Sequence, residues 1–379
     1  MGQMEVARLQ EDLISTLRRN GTLHSSRIEE AFRKVPRHLF LPNETLETAY
    51  SDVAIAVKRT KDGQWTSSSS QPSMMAIMLE QLDLQTGQRV LEIGAGSGYN
   101  AALMAEIVGP EGLVVTVDIQ PDLIRQARKN LQKTGIEHVR LIVGDGAAGF
   151  PESAPYDRII LTVASWVIAP AWWDQLADGG RLVLPLDLGR VQKSVAFERQ
   201  GDELVSRSVF SCGFMRLQGS YAAPEPYLVP VEGDQSVLLS SLEPIPPDIE
   251  AFSDWLRAPA TDLPTGVMVK ISEVLSDLLL WLNVHTGGHW ASLTAMDPLG
   301  AKQNLPVLFA WDGIQKRTES IIFLNHDGAA ALVRPFDQTL TWIDGDLPEE
   351  DQPPDRPFEI SVRVLGPNDQ IARQVIALI

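Results

Sequence analysis

Three acidic residues stand at the ends of three successive apolar runs: Glu92 in "RVLEI", Asp118 in "GLVVTVD" and Asp145 in "VRLIVGD". After the first comes "GAGSGYN", where Gly94, Gly96 and Gly98 alternate with the small residues Ala95 and Ser97. Glycines are needed where a chain turns sharply and a ligand must lie against main-chain atoms, so a nucleotide-like cofactor is implied. The dinucleotide fingerprint Gly-x-Gly-x-x-Gly would require glycine at position 99, where Tyr99 stands. Glu92 would sit badly beside a pyrophosphate but well beside a cationic amino-acid group. Asp118, followed by Ile119, holds the place from which a carboxylate accepts hydrogen bonds from both ribose hydroxyls. Asp145 and Gly146 end the third run, beside the adenine position. Carboxylates at three strand ends, with no phosphate-binding lysine, suit S-adenosylmethionine, whose sulfonium and ammonium groups are positive. A plain Gly-rich turn with Asp118 as a helix N-cap would account for single residues but not for the ordered set.

The elements that must position these residues are legible in the same stretch. "RVLEI", "GLVVTVD", "VRLIVGD", "YDRIILTV" and "GRLVLPL" read as strands, with Tyr99–Ile107, Pro121–Thr134 and Pro170–Leu176 as helices between them. Alternation of this kind gives a doubly wound, largely parallel Rossmann-like sheet. Residues 3–50 read as mostly helical, with "KVPRHLFLP" as a connector, and "RSVFSCGFMRLQG" could close the sheet. Past Gly219 the texture changes to Pro-rich segments and short apolar runs such as "DLLLWLNV", "LPVLFAW", "SIIFLN" and "FEISVRVL". Two domains are expected, residues 1–221 and a C-terminal α+β domain over 222–379, with "DLPEEDQPPDRP" as an exposed loop.

Composition narrows the partners. The net charge of −17 is concentrated in residues 221–379, which carry 23 acidic and 9 basic side chains against 26 and 23 before them. Such a surface repels phosphate backbones, which argues against nucleic acid. No window approaches the roughly 18 consecutive apolar residues that span a bilayer. The N-terminal stretch is charged and amphipathic rather than a signal peptide, and Val6 breaks the myristoylation pattern, so a cytoplasmic location is expected. Cys212 is the single cysteine. His285 and His289 are four apart, but the Gly-Gly between them disfavours the helix that would put both on one face, so no metal site is expected. Trp255, Trp281, Trp290, Trp311 and Trp342 read as core, as do Met74, Met75 and Met78.

The segments "VPRHLFLP", "YSDVAIAV", "SQPSMMAIML", "VLEIGAGSGYN", "VDIQPDLIRQARKNL", "GDGAAGFPESAPYDRIILTVA" and "LADGGRLVLPL" occur in this order. With them the chain, over about residues 5–219, resembles the protein-L-isoaspartate (D-aspartate) O-methyltransferase family. The resemblance implies a class I S-adenosylmethionine-dependent methyltransferase fold, S-adenosylhomocysteine as product, and esterification of a peptide carboxylate. It also implies a role for "SSSSQPS": in the family a Thr-Ile-Ser followed by Gln-Pro or Ala-Pro lies over the cofactor. Its serine contacts the carboxylate to be methylated, and Ser70 matches that serine. Ser68, Ser69 and Gln71 would complete the acceptor wall, and Pro72 would start a helix that buries Met75, Met78, Leu79 and Leu82.

The sequence departs from the family pattern by reading Ser68-Ser69-Ser70 for Thr-Ile-Ser and by continuing for some 160 residues past the point where the family's repair enzymes stop. Homologues with C-terminal extensions act in the biosynthesis of ribosomal peptide natural products such as lanthipeptides and graspetides. The resemblance to that branch implies methylation of a chosen Asp in a macrocyclised precursor peptide, leading to aspartimide or isoaspartate. Repair of isoaspartyl sites in proteins is the alternative. An oxidoreductase, which Tyr99 opposes, and a non-catalytic binding subunit, which the intact cofactor set opposes, are readings of other classes.

Overall fold

The computed structural model describes residues 2–189, 191–231, 236–245, 249–286, 290–296, 305–311, 317–325, 328–334 and 357–379. Contacts divide the chain into two units, one of residues 1–187 and 192–223 and one of residues 188–191 and 224–379.

The first unit is built on a seven-stranded sheet of order β5-β4-β3-β6-β7-β8-β9. Its strands are β3 (Arg89–Ile93), β4 (Leu113–Asp118), β5 (Val139–Val143), β6 (Tyr156–Leu161), β7 (Leu176–Asp187), β8 (Gln192–Gln200) and β9 (Glu203–Cys212). The first five are parallel, and β7-β8-β9 is an antiparallel meander. Helices α1 (Gly2–Arg19), α2 (Ser26–Lys34), α3 (Leu46–Ala49), α4 (Pro72–Leu82), α5 (Tyr99–Val108), α6 (Pro121–Thr134) and α7 (Pro170–Gln175) accompany it. The central strands read as continuous apolar runs because both faces are covered: Val90 and Val114 enter one core, Leu91, Ile93, Val115 and Val117 the other. The chain order reverses on either side of β3, which opens a crevice at the carboxyl ends of β3, β4 and β6.

The sequence expectations need two corrections here. Gln192–Gln200, mixed in polarity and read as no element, is a full strand between β7 and β9. The serine run, for which no strand is expected from sequence, forms β2 (Trp65–Ser69), paired antiparallel with β1 (Ile55–Arg59) in a separate two-stranded ribbon.

The second unit holds an eight-stranded antiparallel sheet. Seven strands run β10 (Tyr227–Pro230), β11 (Val237–Ser241), β13 (Ala291–Met296), β15 (Arg317–Asn325), β16 (Gly328–Val333), β17 (Phe358–Leu365) and β12 (Thr261–Val269), and β14 (Phe309–Trp311) pairs with β15. The run "GAAALV" of β16 is buried throughout because the sheet has a core on each face: Ala330 and Leu332 join one, Ala329, Ala331 and Val333 the other. "DLLLWLNV" is helical. Trp290 belongs to one of these cores and Trp255, partly buried, packs against the other, but Trp281 is half exposed and stacks on His285 at 3.6 Å between ring centres. His289, Trp342 and the 346–356 part of the expected acidic loop lie outside the described residues, as does the side chain of Trp311. Among the described residues no cluster of three metal-ligating side chains occurs, and no helix is long and apolar enough to cross a membrane.

Candidate active site

The crevice of the first unit is a cavity of about 520 Å³, within the usual range for small-molecule sites. Ser68, Ser69, Ser70, Gln71, Gly94, Ala95, Gly96, Ser97, Asp118, Ile119 and Gly146 all line it, so residues spread over 79 positions of sequence meet in one wall. Glu92, Gly98 and Asp145 are not among the lining residues.

The glycine loop is held by its neighbours. Gly94 has φ +105°, and a Cβ there would stand 2.6 Å from the Thr162 hydroxyl oxygen at the end of β6. That hydroxyl donates to the Gly94 carbonyl at 2.6 Å, a contact only a bare backbone permits. Asp118 ties the loop from the other side, accepting from the Gly96 N–H (3.1 Å) and the Gln120 N–H (2.9 Å). Burial raises the Asp118 carboxyl above its ordinary value, and these backbone donors oppose the rise.

Glu92 departs from expectation. It is fully buried behind the loop, one oxygen accepting from the Thr116 hydroxyl (2.6 Å) and the other from the Asn100 amide (2.8 Å). Desolvation pushes its carboxyl up to about 7 despite those donors, with Asp118 adding to the rise. It braces the strand, the helix start and the loop between them, and does not line the cavity. Asp145 also serves the backbone, accepting from the N–H groups of Ala147 (3.0 Å) and Ser220 (2.8 Å), which leaves Gly146 to line the cavity.

The wall formed by Ser68–Gln71 comes from the β1–β2 ribbon and the turn after it. β2 lies against the glycine loop, with the Ser68 carbonyl 3.4 Å from where a Gly96 Cβ would be. At Pro72 the chain enters α4, whose first turn is capped by Asp52 accepting from the Ser73 N–H at 2.8 Å. Met78, Leu79 and Leu82 are buried and anchor the helix by roughly 1.5–3 kcal/mol each. Met74, Met75 and Met78, expected as core alone, also form part of the cavity wall. Among the described residues the hydroxyls of Thr66 and Ser69 are buried without a hydrogen-bond partner, two orphan polar atoms in the lining.

Three contributors were not anticipated. Arg37, read as part of a connector, is fully buried; its guanidinium donates to the carbonyls of Ser51 (3.0 Å), Val53 (3.3 Å) and Ser70 (3.0 Å), fixing the chain on both sides of the ribbon. Burial lowers its pKa. Thr162 sits at a fourth strand end, which a search for acidic residues alone passes over. The segment after β9 supplies the opposite wall: Gln192 clamps Phe214, accepting from its N–H (2.6 Å) and donating to its carbonyl (3.1 Å). Cys212, also in the lining, has its thiol pushed up to about 12 by burial, so it is no thiolate nucleophile at neutral pH.

The residues fit S-adenosylmethionine: a glycine cradle a Cβ would obstruct, the carboxylate of Asp118 in the lining at the end of β4, and no lysine among the described lining. A family model described as Protein-L-isoaspartate(D-aspartate) O-methyltransferase matches residues 7–221, the whole span that builds this cavity. The chain belongs to that family. It is 41% identical to the protein-L-isoaspartate O-methyltransferase of Methanopyrus kandleri over 221 residues, covering 58% of this chain and 95% of that protein. The enzyme of the same name from Thermotoga maritima is 38% identical over 215 residues, 56% of this chain and 67% of that one. A solved structure of a protein-L-isoaspartate O-methyltransferase superposes with TM-score 0.54 at 24% identity, covering 96% of this chain and 89% of the other. As a member of this family the chain is an S-adenosylmethionine-dependent protein carboxyl O-methyltransferase with a class I fold. The superposition also corrects an expectation: a fold extending past the catalytic unit occurs in a protein bearing the repair enzyme's name, so the extension does not by itself set this chain apart.

Proposed function

We propose that the protein methylates the free α-carboxylate of L-isoaspartyl residues in peptides and proteins. The observation that carries the reading is that one cavity joins the glycine loop and Asp118 to the Ser70–Gln71 wall, all inside the span matched by the family. A carboxylate is already ionised near pH 7, so its oxygen needs no general base. Bound in the cavity, S-adenosylmethionine supplies an electrophilic methyl group and leaves as S-adenosylhomocysteine. The protein's part is position and dryness. Asp118 and the loop hold one reactant. Ser70, its carbonyl fixed by Arg37, offers its hydroxyl to the other. Methanol then leaves the ester on attack by the following backbone nitrogen, giving a succinimide that water opens without the enzyme.

A second reading, methylation of an Asp side chain in a macrocyclised precursor peptide, is favoured by the departure from the family pattern at Ser68–Ser69–Ser70, which line the cavity. In either case we propose that residues 222–379 select the substrate. Truncation after residue 223 should then leave S-adenosylhomocysteine affinity intact while changing peptide preference; lost cofactor affinity would contradict this. The deciding assay offers S-adenosylmethionine with an isoaspartyl peptide and with a macrocyclised Asp-containing peptide, read by mass. Methylation of the isoaspartyl peptide supports the first reading, methylation and water loss on the Asp peptide alone supports the second, and transfer to neither refutes both.

A further inference from the structure

Arg216 is the one cationic side chain among the described residues lining the cavity, and Asp118 the one carboxylate. The two lie apart along the sheet edge. Asp118 ends β4, while Arg216 bridges to Ala164 just beyond β6. Two strand spacings separate those positions in the order β4-β3-β6, roughly 10 Å. A cofactor with its ribose at Asp118 and its amino-acid end over the β3 loop leaves the β6 side for the second reactant. That reactant is an anion.

The guanidinium is anchored on its own side of the cavity. Its Nε donates to Asp187 at 2.7 Å, and the Asp187 side chain is only 2% exposed, whereas that of Arg216 is 43% exposed. The backbone beneath is fixed on both sides: the Ala164 N–H donates to the Met215 carbonyl and the Leu217 N–H to the Ala164 carbonyl, each at 2.8 Å, and Gln192 clamps Phe214. A long side chain with so little freedom loses little entropy when it meets a carboxylate, and its planar fork matches one. Sharing charge with Asp187 also tempers the attraction, so a bound carboxylate is oriented while keeping an oxygen able to attack.

We propose that Arg216 receives the acceptor carboxylate, holding it across the cavity from Asp118 and presenting one oxygen to the methyl group. This rests on the proposed function above and names the group that recognises its substrate class. During transfer that oxygen forms the new bond to the methyl carbon, the carbon–sulfur bond breaks, and its electron pair stays on sulfur; the neutral ester then loses its hold on the guanidinium, which favours release.

The test compares full-length wild type, Arg216→Gln and Arg216→Lys with two ligands, an isoaspartyl peptide and the same peptide with its free α-carboxylate replaced by a carboxamide. Calorimetry with saturating S-adenosylhomocysteine gives both affinities. Wild type should prefer the carboxylate by 10- to 100-fold, the range of a charged hydrogen bond. In Arg216→Gln that preference should fall to within about 3-fold, with carboxamide and S-adenosylhomocysteine affinities nearly unchanged and kcat/KM down by a similar factor. Arg216→Lys should keep part of the preference. Equal weakening of both peptides would make Arg216 a structural residue, and weakened S-adenosylhomocysteine binding would assign it to the cofactor's own carboxylate; either overturns the inference. A wild type that turns over the isoaspartyl peptide beside an unaffected Arg216→Gln refutes this inference alone, whereas an inert wild type refutes the reading beneath it.

Discussion

Glu92→Gln isolates the electrostatic strain stored behind the glycine loop. The native carboxyl is fully buried and raised from 4.5 to about 7, chiefly by desolvation. At 1.36 kcal/mol per pH unit, that displacement corresponds to about 3 kcal/mol between its two protonation states. Because the folded state holds this proton more tightly than the unfolded chain, the associated stability is fully present below about pH 4.5 and is lost as pH rises through about 7. Glutamine keeps the shape. Its oxygen can accept from Asn100 and its amide can donate to the Thr116 hydroxyl, which rotates to accept. The variant should therefore match wild type near pH 5 and exceed it at pH 8, by up to about 3 kcal/mol. Hydrogen exchange of the peptide carrying Arg89–Ile93, corrected for intrinsic rate at each pH, reads the opening free energy of that strand without assuming that both units unfold together. Parallel pH profiles for the two proteins would show that Glu92 stays ionised throughout and would refute the reasoning.

Three further outcomes follow from the site. Gly94→Ala forces a Cβ onto Thr162 at φ +105°, roughly 1–3 kcal/mol of backbone strain before the clash, and should weaken S-adenosylhomocysteine binding by at least about 10-fold in calorimetry. Arg37→Met leaves three carbonyls without their donor, a loss of about 2–5 kcal/mol that should lower the melting temperature by roughly 5–15 °C in a thermal scan. Ser70→Ala should reduce kcat/KM for the methylated peptide by about 10- to 100-fold while leaving S-adenosylhomocysteine affinity within about 2-fold, and an unchanged kcat/KM would remove Ser70 from the acceptor site.

What could be read from sequence was whatever local pattern alone dictates. The parallel strands announce themselves because burial on both faces makes them runs of Val, Ile and Leu, and the glycines stand where backbone crowding admits nothing else. What escaped depends on distant partners. Arg37 works through carbonyls 14, 16 and 33 residues away, and a carbonyl leaves no trace in the residue type that carries it. The β2 serines carry little strand propensity, and only pairing with Ile55–Arg59 makes them extended. Glu92 and Asp145 were found at their strand ends, but an acidic residue there can face a ligand or brace the backbone, and composition does not separate the two. Arg216 lay inside a stretch read only as closing the sheet; its importance comes from Ala164 and Asp187, both far off in sequence.

The β1–β2 ribbon closes over the glycine loop, yet its outer edge is fastened by modest contacts. Lys58 reaches Asp122 and the Gln120 side chain, each at 2.7 Å, with both charged partners well exposed, and Gln120 in turn donates to the Thr66 carbonyl at 3.3 Å. An ion pair in that setting is worth at most about 1 kcal/mol and weakens as salt screens it. The ribbon thus hangs on a latch that ionic strength can loosen. Moderate salt should hasten the exit of spent cofactor before it harms the chemistry, making turnover pass through a maximum rather than decline steadily as salt is raised.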